Sequence, residues 1–155
     1  MLGMWGVGKT SLVQQYVHSL YSEKYHASLG VKVDKKTVLR SDGKEMMLML
    51  WDIAGAEDHF SVPLSYVRGA AGYLLVIDGT RPETLDAAAE LVDAVETGIG
   101  SLPFVAVINK SDLDWKLSEA DVRARFGGRA AEVLPSSART GENVEAAFLA
   151  LAEQL

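Results

Sequence analysis

Three apolar runs constrain this chain more than any other feature. Tyr73 to Asp78, Phe104 to Asn109 and Glu132 to Leu134 show no polar alternation. Successive side chains of a strand point to opposite faces, so runs of this kind are buried on both sides. Helical patterns lie around them. Leu85, Ala88, Ala89, Val92 and Val95 recur at helical spacing behind Pro82, a first-turn proline, and Val144, Ala147, Phe148, Leu151 and Leu155 form a closing stripe. Upstream, Val31 to Arg40 reads as a strand that turns through Ser41-Asp42-Gly43-Lys44 into a second strand, Glu45 to Asp52. Strands alternating with helices predict an α/β fold with a mainly parallel sheet covered on both faces. Such sheets bind ligands at the C-terminal edges of their strands, so chemistry is expected where each apolar run ends.

Composition narrows the class. The 155 residues fit one domain spanning the chain, and 15 Lys+Arg against 21 Asp+Glu give a net charge of −6. An acidic balance argues against non-specific nucleic-acid binding and against an electrostatic grip on anionic membrane. With no Cys in the chain, disulfides, thiolate metal sites and thiol nucleophiles are excluded. No apolar run reaches the length of a membrane span, and no signal-peptide pattern opens the chain. The expectation is a soluble, cytoplasmic domain.

The first strand end carries Gly3-Met4-Trp5-Gly6-Val7-Gly8-Lys9-Thr10, a full G-x-x-x-x-G-K-[ST] pattern. Its glycines allow consecutive N–H groups to turn inward around a phosphate chain. Lys9 supplies a charge to the outer phosphates, and the Thr10 hydroxyl can ligate Mg²⁺. Ser11 to Leu20 has helical character, which sets the phosphates at a helix N-terminus. The pattern specifies phosphates without specifying the base.

Three further run ends carry chemistry. Met46 to Trp51 leads into Asp52-Ile53-Ala54-Gly55, where Asp52 can hold Mg²⁺ and the Gly55 N–H can meet a terminal phosphate. Phe104 to Ile108 leads into Asn109-Lys110-Ser111-Asp112. Asp112 can accept from both the ring N–H and the exocyclic amine of guanine, a donor pair that adenine lacks, while the Lys110 stem lies over the purine. The last strand ends in Ser136-Ser137-Ala138-Arg139, where the Ala138 N–H can bind the guanine carbonyl oxygen, with Ser137 and Arg139 beside it. Taken alone, this last stretch is equally any small-residue loop.

With these motifs in hand, the sequence resembles the Ras superfamily of small GTPases, closest to its Rab-like branch, over essentially the whole chain. The resemblance rests on Gly3 to Thr10, Tyr25 to Val31, Trp51 to Gly55, Tyr66-Val67-Arg68-Gly69-Ala70, Asn109 to Asp112 and Ser137-Ala138. It implies a mostly parallel six-stranded sheet with five helices, binding GTP and GDP with Mg²⁺. It also implies two switch segments, Tyr21–Val31 and Asp52–Val67, that order around the terminal phosphate and present a surface to a protein effector or regulator. Ser28 matches the hydroxyl that completes Mg²⁺ coordination, usually a Thr in the family. Tyr21 falls where an aromatic packs on the base, and Tyr25 where one closes over the phosphates.

The sequence departs from that family at three places. Ala56 stands where Gln usually orients the attacking water, and a methyl group can neither accept from water nor donate to it. Trp5 stands where small residues are the rule; its indole either crowds the outer phosphate or folds outward over the site. Together they predict slow hydrolysis. Among Glu57, Asp58 and His59, the imidazole of His59 is the best substitute for the missing Gln, while His18 and His26 are assigned to the surface. Thirdly, only Met1 and Leu2 precede Gly3 where the family has a buried central strand, so the reading is of a first strand cut short. The leading expectation is a GTP-dependent switch; a GTP-binding scaffold with little or no hydrolysis is the alternative, and a P-loop kinase or ATPase is disfavoured by Asn109 to Asp112. Lys32, Lys35, Lys36 and Arg40 offer an acidic effector a basic strand, although a solvated edge fits them better. The absence of Cys from Ala152 to Leu155 leaves no lipidated membrane anchor in this stretch.

Overall fold

The computed structural model describes residues 1–23, 30–54 and 64–155. Its elements run α1 (Lys9–His18), β1 (Val31–Leu39), β2 (Glu45–Ile53), α2 (Leu64–Val67), β3 (Tyr73–Asp78), α3 (Glu83–Gly98), β4 (Phe104–Asn109), α4 (Glu119–Phe126), β5 (Glu132–Pro135) and α5 (Val144–Ala152). Strands β3, β4 and β5 form a parallel sheet in that spatial order, with Tyr73 opposite Phe104 and Asp78 opposite Asn109. The polar ends of β3 and β4 therefore finish side by side.

The apolar runs are buried on both faces, as their lack of alternation demands. On one face Leu75, Ile77, Ala106 and Ile108 pack with Val92 and Val95 of α3 and with Val122 and Phe126 of α4. On the other, Leu74, Val76, Val105 and Val107 meet Leu12, Val13 and Tyr16 of α1 and Val144, Ala147 and Phe148 of α5. Tyr16 stacks flat on Phe148 with ring centroids 3.9 Å apart, which ties the two helices together.

Strands β1 and β2 form the expected antiparallel hairpin, with Val31 opposite Ile53 and Leu39 opposite Glu45. Its turn closes through Gly43 N–H to Arg40 O at 3.0 Å and Arg40 N–H to Lys44 O at 2.9 Å. On the inner face Val38, Leu48 and Leu50 join the α1/α5 core. Between the hairpin and the parallel sheet lies Leu2, whose N–H donates to Leu74 O at 2.9 Å and whose carbonyl accepts from Val76 N–H at 2.8 Å, an isolated parallel bridge to Leu75. The described residues thus contain five strands and this one bridge, against an expected six-stranded sheet.

The helix over residues 119–126 was not foreseen from the sequence. Its apolar pattern is weak, and its start is set by a capping box: Ser118 Oγ accepts from Asp121 N–H at 3.1 Å, while Asp121 Oδ2 accepts from Ser118 N–H at 3.1 Å. Helix boundaries also move. The first helix runs from Lys9 to His18 against an expected Ser11 to Leu20, and the last ends at Ala152, short of the stripe's final Leu155. Among the described residues, no helix is long and apolar enough to cross a membrane.

Candidate functional site

A cleft of about 320 Å³ opens at the C-terminal edge of the strands, where the run-end rule places chemistry. One wall is the glycine-rich loop with the start of α1: Gly6, Gly8, Lys9, Thr10 and Ser11 line it. The opposite wall is the turn after β4 and the loop after β5, through Asn109, Lys110, Asp112, Ala138 and Arg139. Tyr21 stands on the rim, largely exposed. Of the expected site residues, Gly3, Val7, Asp52 and Ser137 lie behind the wall rather than on it. Tyr25, Ser28, Gly55, Ala56, Glu57, Asp58 and His59 fall outside the described residues.

Asn109 holds the two walls together. Its side chain is buried at the end of β4; Nδ2 donates to Val7 O at 2.9 Å, and Oδ1 accepts from Ala138 N–H at 3.1 Å. The Ala138 N–H, expected to meet a guanine carbonyl, is therefore engaged by Asn109 in this structure. Gly8 explains why the loop must be glycine there: it adopts φ +100°, and a Cβ would stand 2.2 Å from Asn109 Nδ2.

Lys9 is buried, and its ammonium donates to Gly3 O at 2.8 Å and Met4 O at 3.0 Å. Burial is the main force pulling its pKa down to about 8, with Asp52 opposing and Arg81 assisting. A phosphate chain would push that pKa back up by supplying the opposite sign.

Thr10 Oγ1 donates to Asp52 Oδ2 at 2.6 Å, although the two residues are 42 positions apart in sequence. Asp52 ends the inner face of β2, and its Oδ1 is buried with no hydrogen-bond partner. A hydroxyl beside a carboxylate that keeps one buried, unspent oxygen is an all-oxygen donor set, which fits a hard cation such as Mg²⁺.

At the base end, Ser137 Oγ donates to Asp112 Oδ1 at 2.6 Å and accepts from Thr140 N–H at 3.1 Å. Arg139 reaches Asp112 at 3.9 Å and Glu23 at 3.1 Å. Lys110 sits at φ +70°, a backbone strain held by its surroundings: Trp115 Nε1 donates to Lys110 O at 2.8 Å, and Lys110 Nζ is anchored on Asp78. Its stem is left lining the cleft. Trp5 lines the mouth of the cleft with 36% of its surface exposed.

The chain matches the family model described as "Ras family" over residues 1–155. It belongs to the Ras family. Over 158 aligned residues it is 37% identical to the Ras-related protein Rab-4B of Rattus norvegicus, and equally to that of Homo sapiens and of Mus musculus, covering all of this chain and 74% of each relative. This Ras-family chain is Rab-like, a small GTP-binding switch protein of a family whose members hydrolyse GTP.

Two features of the site went unseen in the sequence. Asp78 ends an apolar run, so the run-end rule pointed at it, but no motif named its partners. The other is the outer face of the β1–β2 hairpin. Val33 pairs with Trp51, and both are exposed, as are Met47, Met49 and nearby Tyr66. The signal was present, since Glu45 to Ile53 puts apolar residues on both faces of a strand that α1 and α5 cover on one face only. Most of the Lys-rich strand's cations are spent within the chain. Lys32 pairs with Asp34 at 3.0 Å, Lys36 donates to Tyr16 O at 2.5 Å, and Arg40 lies 3.9 Å from Glu153.

Proposed function

We propose that this Ras-family chain is a guanine-nucleotide switch that binds GTP or GDP with Mg²⁺ and hydrolyses GTP slowly. The observation that carries the reading is Asn109, which bonds the phosphate loop at Val7 and the base loop at Ala138 across one cleft. In this reading Asp112, aimed by Ser137, takes the guanine N–H pair, and Lys110 covers the ring. Lys9 and the N–H groups of Gly6 and Gly8 bind the outer phosphates, with Thr10 and Ser11 at the helix start. Thr10, Asp52 and Ser28 would hold Mg²⁺, which when bound neutralises charge on the phosphate oxygens.

Slow hydrolysis follows from the residue after Asp52-Ile53-Ala54-Gly55. Ala56 has no group with which to orient water, and His59 is the substitute we assign. Signalling rests on the two segments beside the terminal phosphate, Tyr21–Val31 and Asp52–Val67, whose order a protein effector or regulator would read. The exposed apolar pair Val33 and Trp51 adjoins both segments and suits such a partner better than the mostly paired Lys-rich strand.

The GTP-binding scaffold remains the second reading, favoured by Trp5 at the mouth of the cleft and by Ala56. Nucleotide extracted from the purified chain, before and after incubation with Mg²⁺, separates the two. A slow switch yields GTP that converts to GDP over the incubation, and His59→Ala slows that conversion further. GTP unchanged after prolonged incubation moves the conclusion to the scaffold. Retention of ADP in preference to GDP sinks both readings.

A further inference from the structure

Asp78 ends β3 with its side chain wholly excluded from solvent, a position where an unpaired carboxylate is strongly unfavourable. Its oxygens are fully spent within the chain. Oδ1 accepts from the Thr80 hydroxyl at 2.7 Å and the Thr80 N–H at 2.9 Å, while Oδ2 accepts from Lys110 Nζ at 2.5 Å and Arg81 Nε at 3.0 Å. The carboxylate is therefore a holder of side chains with no oxygen left over for a ligand.

The two cations it holds lead to opposite ends of the cleft. Lys110 lines the base end. Arg81 turns the other way, and its NH2 donates to Trp5 O at 2.7 Å, at the crest of the phosphate loop. The guanidinium also lies under Gly6, where an added Cβ would come within 3.5 Å of it. A planar fork with fixed donors can serve Asp78 and Trp5 at once, which a single ammonium cannot do with the same geometry.

We infer that Asp78 and Arg81 form a clamp that fixes the phosphate loop against the base loop, with Arg81 a positioning residue for the nucleotide's phosphates. The clamp rests on the guanine-nucleotide reading above. It predicts a division of labour. Loss of Arg81 loosens only the phosphate wall, whereas loss of the Asp78 charge loosens both walls.

The test measures release of a fluorescently labelled GDP from the full chain by stopped flow, together with competition by GDP, ADP and guanosine. Arg81→Ala is expected to speed GDP release by more than about fivefold, on the order of one charge-assisted hydrogen bond. Its guanosine affinity should fall by a clearly smaller factor, because guanosine has no phosphate for the loop to grip. Arg81→Lys should lie between wild type and Arg81→Ala, and Asp78→Asn should weaken both ligands. Thermal melting of the Arg81 variants checks that the partly exposed site leaves folding intact. A release rate changed less than fivefold in Arg81→Ala, or an equal loss for guanosine and GDP, overturns the clamp; so does a folded Asp78→Asn with unaltered guanosine affinity. If the wild type binds ADP better than GDP, the guanine reading falls alone, and the clamp is then scored on ADP and adenosine.

Discussion

Strands β3 and β4 bury every residue along their length, whereas β1 buries only Val38 and β2 only Leu48, Leu50, Asp52 and Ile53. The difference separates two tasks. A sheet covered on both faces cannot shift one residue without disturbing two cores, so the loops at its ends are held in fixed relation. Asp78, Asn109 and Ser136 all sit at those ends, buried, and from there the phosphate and base walls are braced. The hairpin has one face on the core and offers Asp52 from it. Its other face carries Val33, Met47, Met49 and Trp51 in the open. One region is built to hold a ligand still, and the other presents a surface that nothing among the described residues covers.

The largest effect that tests this contrast comes from the frame. Ile108 is 0% exposed, and Ile108→Ala is expected to cost about 2–5 kcal/mol in urea denaturation, from lost transfer energy plus the cavity left behind. A cost below 1 kcal/mol would mean that the frame tolerates voids and is less rigid than its burial suggests.

A smaller effect depends on pH. Burial alone would raise the Asp78 carboxyl, but the bonds from Lys110 and Thr80 outweigh it and hold the pKa below the ordinary value of 3.8. A pKa depressed in the folded state contributes stability that is present above 3.8 and is lost as pH falls through the native value. The gap in unfolding free energy between wild type and Asp78→Asn should therefore be widest above that pH and close as acid is added. A gap that stays constant into strong acid would show that shape, and not charge, is what Asp78 provides.

The smallest effect belongs to the hairpin. Met49 is 57% exposed, so Met49→Ala should change stability by no more than about 0.5 kcal/mol in the same denaturation. A loss approaching that of Ile108→Ala would break the comparison, because it would mean that the outer face is packed against something in the isolated chain.

Much of this was legible from residue order. The apolar runs gave β3 and β4 to the residue, and the turn at Ser41 to Lys44 gave the hairpin, because strand burial and turn chemistry are local signals. Gly6 to Thr10 and Asn109 to Asp112 meet across one cleft because loops at the C-terminal strand ends of such a sheet share one edge. What stayed hidden depends on distance in the chain. Nothing local to Asn109 announces its bond to Val7, 102 positions earlier. Arg81 gave no sign that it reaches Trp5, since both lie outside any motif that pairs them. The helix after Ser118 escaped for a different reason: a capping box marked its start, but the weak apolar stripe that followed did not draw attention to it.

The three tryptophans have an optical consequence. Trp5 stands at the phosphate mouth, Trp115 donates its indole N–H to Lys110 behind the base wall, and Trp51 lies on the hairpin's outer face. The chain thus carries one indole at each of these three places. Trp5→Phe and Trp51→Phe leave the bond from Trp115 to Lys110 in place, so subtracting each variant's emission from that of the wild type separates the phosphate mouth and the hairpin face from the base wall without attaching a dye.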